Sequence, residues 1–112
     1  MPVPQKLDTL FFGLPERLKP EAVQGLSSLF HFNLIGEIRG TYTVIVAGGV
    51  CHVLSGLHGQ PRCVVEVSGR DYLSMEAGEL SPESAFMSGR IKVSNLAEMM
   101  RFIKAFRPLP MA

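Results

Sequence analysis

The segment that constrains this chain most is residues 87–95, MSGRIKVSN, because it predicts a strand with a helix signal on either side. Side chains alternate along an extended backbone, so Gly89, Ile91 and Val93 fall on one face. The residues between them are polar or charged and fall on the other face. The segment therefore predicts a strand with one apolar side and one solvent-facing side.

Helix starts are predicted both before and after this strand. Before it, Ser81 can accept from free amide hydrogens, Pro82 suits the first helical position, and Glu83 faces the positive end of the helix dipole. After it, Asn95 and Glu98 form a pair that resembles a capping box. Beyond this pair, apolar residues recur at helical spacing against the polar Glu98, Arg101 and Lys104; they are Leu96, Met99, Met100, Ile103 and Phe106.

Composition and charge limit the class of protein. The chain has 112 residues, of which 46% are hydrophobic and 19% are charged, and this composition is typical of a single globular domain. We therefore expect one domain over residues 1–112, in which residues 1–19 form an N-terminal extension of short helical turns. The formal charge of +1 and the scattered Lys and Arg argue against nucleic acid as a partner. Since no apolar run approaches ~20 residues and no signal-peptide pattern is present, we expect a cytoplasmic location.

Three helical segments are predicted near the N-terminus. Asp8 is placed to cap a short turn that ends at Gly13. Pro15 and Pro20, each followed by glutamate, begin the next two segments. These segments offer two apolar groups to a core, namely Leu7, Leu10, Phe11 and Leu14, then Val23, Leu26 and Leu29.

A strand and a hairpin follow. The apolar period becomes two at Phe30, with Phe32 and Leu34 on the same side. Gly48 and Gly49 predict a two-residue primed turn, because glycine adopts positive φ without a steric penalty. This turn fixes the register and hence the faces of the hairpin, with Tyr42, Val44, Val46, Cys51 and Val53 towards the core and Thr41, Thr43, Ile45, His52 and Leu54 away from it.

A fourth strand and a short helix complete the pattern. Cys63, Val65 and Val67 alternate with more polar residues, and Ser68 with Asp71 then forms another cap. Five one-sided strands with helices before, between and after them predict an α+β domain. We expect one sheet with one face covered by helices and the other face largely exposed to water.

Few residues predict catalytic chemistry or metal binding. His31, His52 and His58 lack ligand-like spacing, and no serine lies in a nucleophile elbow. Cys51 and Cys63 occur in apolar strand patterns, so we expect reduced core residues. No catalytic site, metal or cofactor is therefore predicted. Methionines in the covering segments favour core packing over a ligand-lined cavity, namely Met75, Met87, Met99 and Met100.

Four stretches together resemble one known family. AGELSPESAFMSGRIKVSN, residues 77–95, is similar to the signature of the sterol carrier protein type 2 family, with its glycine-acid-leucine turn, short helix and Gly-basic-aliphatic strand. The agreement extends to FHFNLIGE at residues 30–37, TYTVIVAGGVCHV at 41–53 and PRCVVEVSGRDYLSM at 61–75. The pieces occur in the family's order and intervals.

The resemblance implies a five-stranded mixed β-sheet with helices on one face and an apolar tunnel between them. Family members bind and transfer sterols, fatty acyl chains or other lipids and perform no chemistry of their own. Ser88 stands where many relatives have glutamine near the tunnel, which gives a shorter polar reach towards a ligand. The tunnel wall would comprise Phe32, Leu34, Val44, Val46, Tyr72, Met75, Phe86, Met87, Ile91, Met100, Ile103 and Phe106.

Two functions from different classes stay open. The first is a small carrier whose partner is a lipid or another hydrophobic small molecule, with at most transient membrane contact. The second is an accessory domain that presents an isoprenoid, quinone or polyketide to a partner enzyme. Its docking surface would comprise Leu10, Phe11 and Phe12 together with the outer-face Ile45 and Leu54.

Two further points concern the N-terminal segment and catalysis. The segment LDTLFFGLPERL lies outside the best-matching region, so an added lid, a homodimer contact and additional core all remain open. Catalysis in the tunnel is a weaker third hypothesis, because the strand phases direct His31, His52 and Glu66 away from the core.

Overall fold

The computed structural model describes residues 3–107 and has five strands and five α-helices in that range. A single 3-10 turn at Pro20–Ala22 replaces the longer third N-terminal segment, and Leu29 belongs to the following strand. The elements are α1 Val3–Phe12, α2 Leu14–Arg17, β1 Ser28–Ile35, β2 Gly40–Ala47, β3 Val50–Ser55, β4 Cys63–Ser68, α3 Gly69–Glu76, α4 Pro82–Met87, β5 Ile91–Val93 and α5 Leu96–Ala105.

The sheet has the strand order β3-β2-β1-β4-β5. β1 pairs with β4 in parallel and the other neighbours are antiparallel, so the sheet is mixed. Helices α1, α3 and α5 all pack on one face, since Phe11, Tyr72 and Phe102 each contact Phe32. The structure therefore confirms the predicted α+β class.

The hairpin register is the one that the two glycines predicted. Val46 lies opposite Cys51 and Val44 lies opposite Val53. Gly48 and Gly49 have φ values of 61° and 79°, as a primed two-residue turn requires.

The three predicted serine and asparagine caps are also present. Ser68 Oγ accepts from the Asp71 amide at 3.0 Å, and Ser81 Oγ accepts from the Ser84 amide at 3.1 Å. Asn95 Oδ1 accepts from the Glu98 amide at 3.2 Å. Each cap is a contact across three residues, so local sequence was sufficient to predict it.

Asp8 was wrongly predicted to be a helix cap. α1 begins at Val3, which places Asp8 in the middle of a ten-residue helix, where its carboxylate accepts from the Tyr42 hydroxyl. Burial, together with this hydrogen bond, raises the pKa of Tyr42 above its usual value. α1 is therefore joined to β2 by a contact between residues far apart in the sequence.

Thr43 was predicted to be exposed on the outer face of the sheet but is completely buried. Its hydroxyl donates to the Gly56 carbonyl at 2.8 Å and accepts from the His58 amide at 2.9 Å. The segment after β3 thus covers this part of the sheet.

Helix α5 is rotated relative to the prediction. Phe102, which the predicted stripe omitted, lies 4.8 Å from Phe30 between ring centroids, whereas Leu96 is exposed. Phe106 lies after the helix, where it forms a β-bridge with Leu18. The prediction mixed the stripe facing the sheet with a second apolar stripe on the neighbouring side of the helix.

Glu98 was predicted on the solvent-facing side, but this rotation buries it. Its Oε2 accepts from Ser28 Oγ at 2.6 Å, and its Oε1 accepts from Arg101 Nη1 at 3.4 Å. The hydrogen bond from Ser28 joins the start of β1 to α5.

Ser28→Ala is expected to lower the free energy of unfolding by about 1–3 kcal/mol, because the buried Glu98 carboxylate loses a donor. Urea unfolding would measure the change. The neighbouring Ser27→Ala is a matched control, since Ser27 is exposed. Equal stability of the two variants would contradict a stabilising role for the buried hydrogen bond.

Both cysteines are free and buried. Burial raises the pKa of the Cys51 thiol to about 12 and raises that of Cys63 as well. Both thiols are therefore protonated at neutral pH, and their burial agrees with the predicted core positions.

Candidate functional site

A cavity of about 290 Å³ lies between α4, β5 and α5, and we call it the α4–α5 cavity. Nine of its ten lining residues are apolar, and Glu83 is the tenth. The lining consists of Pro82, Glu83, Phe86, Met87, Ile91, Val93, Leu96, Met99, Met100 and Ile103. Such a surface has almost no hydrogen-bonding groups, so it suits hydrocarbon.

The chain between the two helices forms this cavity. Ser81 caps α4, and α4 ends after Met87 at Ser88. Gly89 has a φ of 76°, which favours glycine and turns the chain into β5. β5 then pairs with β4, so the apolar sides of α4 and β5 face the same space as the second apolar stripe of α5.

A second cavity of about 380 Å³, the α2–α5 cavity, lies between α2, α3 and α5. Unlike the first, it combines an apolar wall with a charged rim. Its lining consists of Leu14, Arg17, Phe32, Tyr72, Met75, Glu76, Gly78, Pro82, Met99, Phe102, Ile103, Phe106 and Arg107.

Arg17 and Glu76 form an ion pair at the rim of the α2–α5 cavity. Arg17 Nη1 lies 2.8 Å from Glu76 Oε2, and Arg17 Nε donates to the Arg107 carbonyl at 2.9 Å. Burial opposes the charge on Arg17, but the hydrogen bond and the negative charge of Glu76 outweigh it and raise the pKa of Arg17. Burial, reinforced by Glu76, also raises the pKa of Tyr72, so its hydroxyl is neutral at physiological pH.

The two cavities share a wall made of Pro82, Met99 and Ile103. The resemblance implied one tunnel, whereas the structure has two open cavities that adjoin at this wall. Phe102 fills the space directly beneath α5, where its ring centroid lies 5.3 Å from that of Phe32. Aromatic packing therefore occupies the centre of the expected tunnel.

Most of the predicted wall residues line one cavity or the other. Phe86, Met87, Ile91 and Met100 line the α4–α5 cavity, and Ile103 lines both. In the α2–α5 cavity, the predicted lining residues are Phe32, Tyr72, Met75, Ile103 and Phe106.

Four predicted residues line neither cavity. Leu34, Val44 and Val46 are buried in the core, where the helices pack against them. Ser88 is exposed, and its hydroxyl donates to the Ser84 carbonyl at 2.8 Å rather than facing either cavity.

Some lining residues were not predicted. Leu96 and Met99 belonged to the predicted α5 stripe and could have been included, and Val93 shares a strand face with Ile91. Arg17 gave no signal in the sequence, because its partner Glu76 is 59 residues away.

The polar residues considered for catalysis, His31, His52 and Glu66, line neither cavity. His31 Nε2 donates to the His58 carbonyl at 2.7 Å on the outer side of the sheet, and Glu66 accepts from Asn33 there. Within residues 3–107, no group of three or more His, Cys, Asp or Glu side chains is placed to hold a metal ion. In the same range, no helix is long and apolar enough to cross a bilayer.

A profile of the SCP-2 sterol transfer family matches residues 7–107 of the chain. This chain belongs to that family. Hydroxysteroid dehydrogenase-like protein 2 from Rattus norvegicus is 30% identical over 105 residues, which cover 88% of this chain and 19% of the relative. Sterol carrier protein 2 from Homo sapiens is 25% identical over 95 residues, which cover 80% of this chain and 17% of that relative. The chain thus spans about a fifth of the length of the curated relatives it matches.

Several solved structures share the fold of this chain. Sterol Carrier Protein 2 Like 2 from Aedes aegypti superposes with a TM-score of 0.72 and 17% identity, covering 90% of this chain and 95% of that one. The sec-alkylsulfatase Pisa1 from Pseudomonas sp. superposes with a TM-score of 0.79 and 15% identity, and the match covers 93% of this chain and 17% of that one. UbiJ-SCP2, a ubiquinone synthesis protein, superposes with a TM-score of 0.63 and 14% identity, and the match covers 91% of this chain and 87% of that one.

Proposed function

We propose that this chain binds a hydrophobic ligand, such as a sterol, a fatty acyl chain or another lipid, and transfers or presents it. The observation that carries the proposal is the α4–α5 cavity, whose lining is apolar at nine of ten residues. Membership of the SCP-2 sterol transfer family supports the same class of ligand.

Burial of hydrocarbon would supply the binding energy. At ~0.8 kcal/mol per methylene, ten buried methylenes contribute roughly 8 kcal/mol, part of which offsets the lost freedom of the ligand. Since roughly 8 kcal/mol corresponds to about 1 μM before that cost, we expect a dissociation constant in the micromolar range or weaker. Ile103 lines both cavities and is partly buried, so a long ligand that occupies both would contact it.

Ile103→Gln is expected to weaken the binding of a fluorescent fatty acid about tenfold, because the amide would lack a hydrogen-bond partner in an apolar wall. The free energy of unfolding should change by less, since Ile103 is only partly buried. Ile45→Gln is the matched control, because Ile45 is also partly buried but lies on the outer face of β2. Equal affinities of the two variants would contradict the proposed ligand site.

The proposed carrier acts without chemistry of its own and works in the cytoplasm. The hydroxyl of Tyr72 would offer a neutral polar group to the head of an amphiphilic ligand.

A second candidate is the accessory domain that presents a substrate to a partner enzyme. It is supported by the similarity to a ubiquinone synthesis protein and by relatives about five times longer than this chain. Phe11 is completely buried, so it cannot belong to the docking surface; Phe12 and the outer-face Leu54 are exposed. Loss of a quinone- or isoprenoid-modifying enzyme from a pull-down on Leu54→Asp would favour this function.

A further inference from the structure

Three of the ten residues that line the α4–α5 cavity are methionines, and they differ in exposure. Met99 is 8% exposed and Met100 is half-buried, whereas Met87 is 83% exposed. A methionine sulfur is oxidised at a rate that depends on how easily the oxidant reaches it. The Met87 thioether is therefore the sulfur of this lining that is most open to attack from solvent.

The fold holds Met87 between the cavity and water. It is the last residue of α4, a helix of six residues whose buried residue is Ala85. The chain then turns at Gly89, which has a φ of 76°, and enters β5. Met87 thus lines the cavity while most of its surface stays in contact with solvent.

A sulfoxide at this position would have no donor in the cavity lining. Oxidation converts the apolar thioether into a polar group whose oxygen accepts hydrogen bonds. The polar residue of the lining is Glu83, which lies four residues before Met87 on the same side of α4. A carboxylate accepts hydrogen bonds but donates none. The sulfoxide oxygen would therefore bond to water, and we expect the oxidised side chain to turn away from the cavity.

The two cysteines react with peroxide more slowly than an exposed thioether. Both are buried, and burial raises the pKa of the Cys51 thiol to about 12 and raises that of Cys63. Peroxide attacks the thiolate, which is scarce in both. Among these sulfur groups, Met87 is the one that an oxidant meets first.

We propose that hydrogen peroxide oxidises Met87 to the sulfoxide and that this modification lowers the affinity of the α4–α5 cavity for its hydrophobic ligand. The proposal rests on the proposed carrier function and adds a means of regulating that site. The sulfur lone pair attacks one peroxide oxygen, an S–O bond forms as the O–O bond breaks, and the second oxygen leaves as water. Sulfur loses two electrons and peroxide gains them.

The modification is reversible. A methionine sulfoxide reductase removes the oxygen as water while two thiols are oxidised to a disulfide. The thioether is then apolar again, and the cavity regains its wall. The proposed oxidation would therefore release ligand under peroxide and allow it to bind again after repair.

The test is titration of the chain with a dansyl-labelled fatty acid before and after treatment with hydrogen peroxide. Catalase removes the peroxide before the ligand is added, so that the ligand itself is not oxidised. We expect binding to weaken about tenfold, because the ligand loses its contact with the methyl and thioether groups of Met87. Peptide mass spectrometry should locate the added oxygen on Met87 before Met99 and Met100, and the reductases for both sulfoxide epimers should restore the affinity.

Each variant is compared with itself before and after peroxide. Met87→Leu keeps an apolar side chain without sulfur, so peroxide should leave its affinity unchanged. Met100→Leu is the matched control, because Met100 lines the same cavity but is half-buried, and this variant should lose as much affinity as the wild type. Met87→Gln, which is polar and neutral, should bind about tenfold more weakly than Met87→Leu without any oxidant.

The outcomes separate the modification from the carrier function. Oxidation of Met87 with unchanged affinity, or an equal loss of affinity in Met87→Leu and the wild type, would overturn the proposal and leave the carrier function intact. Oxidation of Met99 or Met100 ahead of Met87 would overturn it as well. Failure of the untreated chain to bind the labelled fatty acid would contradict the carrier function and overturn the proposal with it.

Discussion

Phe11→Ala is expected to lower the free energy of unfolding by about 3–5 kcal/mol. Phe11 is completely buried, and its ring stacks on Tyr42 at 4.1 Å and on Tyr72 at 4.8 Å between centroids. Truncation would leave a cavity where α1 meets the sheet and α3, and it would remove two aromatic contacts. At roughly 4 °C per kcal/mol for a chain of this size, the melting temperature should fall by about 12–20 °C.

Phe12→Ala provides the matched control for this prediction. Phe12 is the next residue of the same helix and is 48% exposed, so its loss should cost less than about 1 kcal/mol. Calorimetry of both variants would measure the difference. If Phe11→Ala melted within a few degrees of Phe12→Ala, α1 would not be part of the stable core.

Gly69→Ala is expected to lower the free energy of unfolding by about 3 kcal/mol. A Cβ at this position would lie 2.0 Å from the Ile38 carbonyl oxygen and 2.6 Å from its Cγ2. The obstacle is backbone, so it cannot move aside as a flexible side chain would. Either α3 or the connection between β1 and β2 would have to shift.

Helix propensity alone predicts the opposite sign for this substitution. Alanine is favoured over glycine by about 1 kcal/mol inside a helix, and Gly69 is the first residue of α3. Chemical denaturation of Gly69→Ala would decide between the two effects. Arg70→Ala is the control on the same helix, because Arg70 is exposed and should change stability little. A stabilised Gly69→Ala would contradict the close approach of Ile38.

The features that sequence reasoning predicted correctly are those decided over short distances. The Gly48–Gly49 turn set the register between Val46 and Cys51, and the caps at Ser68, Ser81 and Asn95 act on amides three residues away. Apolar and more polar residues alternate along β1 and β4. Since side chains alternate between the two faces of a strand, the apolar residues of each strand all lie on one face, and that face is the buried one.

The site was predicted only in part, because its walls depend on how distant elements pack. α5 carries two adjacent apolar stripes, and the sequence did not indicate which one faces the sheet. Phe102 reaches Phe30 and Phe32, whereas Leu96 and Met100 face α4. The family resemblance implied one tunnel. The division of that space into two cavities depends on how side chains from different elements pack, and the spacing of apolar residues in the sequence does not indicate this packing.

The sequence by itself determined the order of the strands, the hairpin register, the caps at Ser68, Ser81 and Asn95, and the resemblance to the sterol carrier family, because turn geometry, capping and side-chain alternation act within a few residues. The tertiary structure alone decided that Glu98 is buried against Ser28, that Arg17 pairs with Glu76, and that two open cavities meet at Met99 and Ile103. Each of these features joins residues that are far apart in the chain. It therefore forms only when the helices pack on the sheet, because that packing decides which side chains are buried and which spaces between the elements stay open.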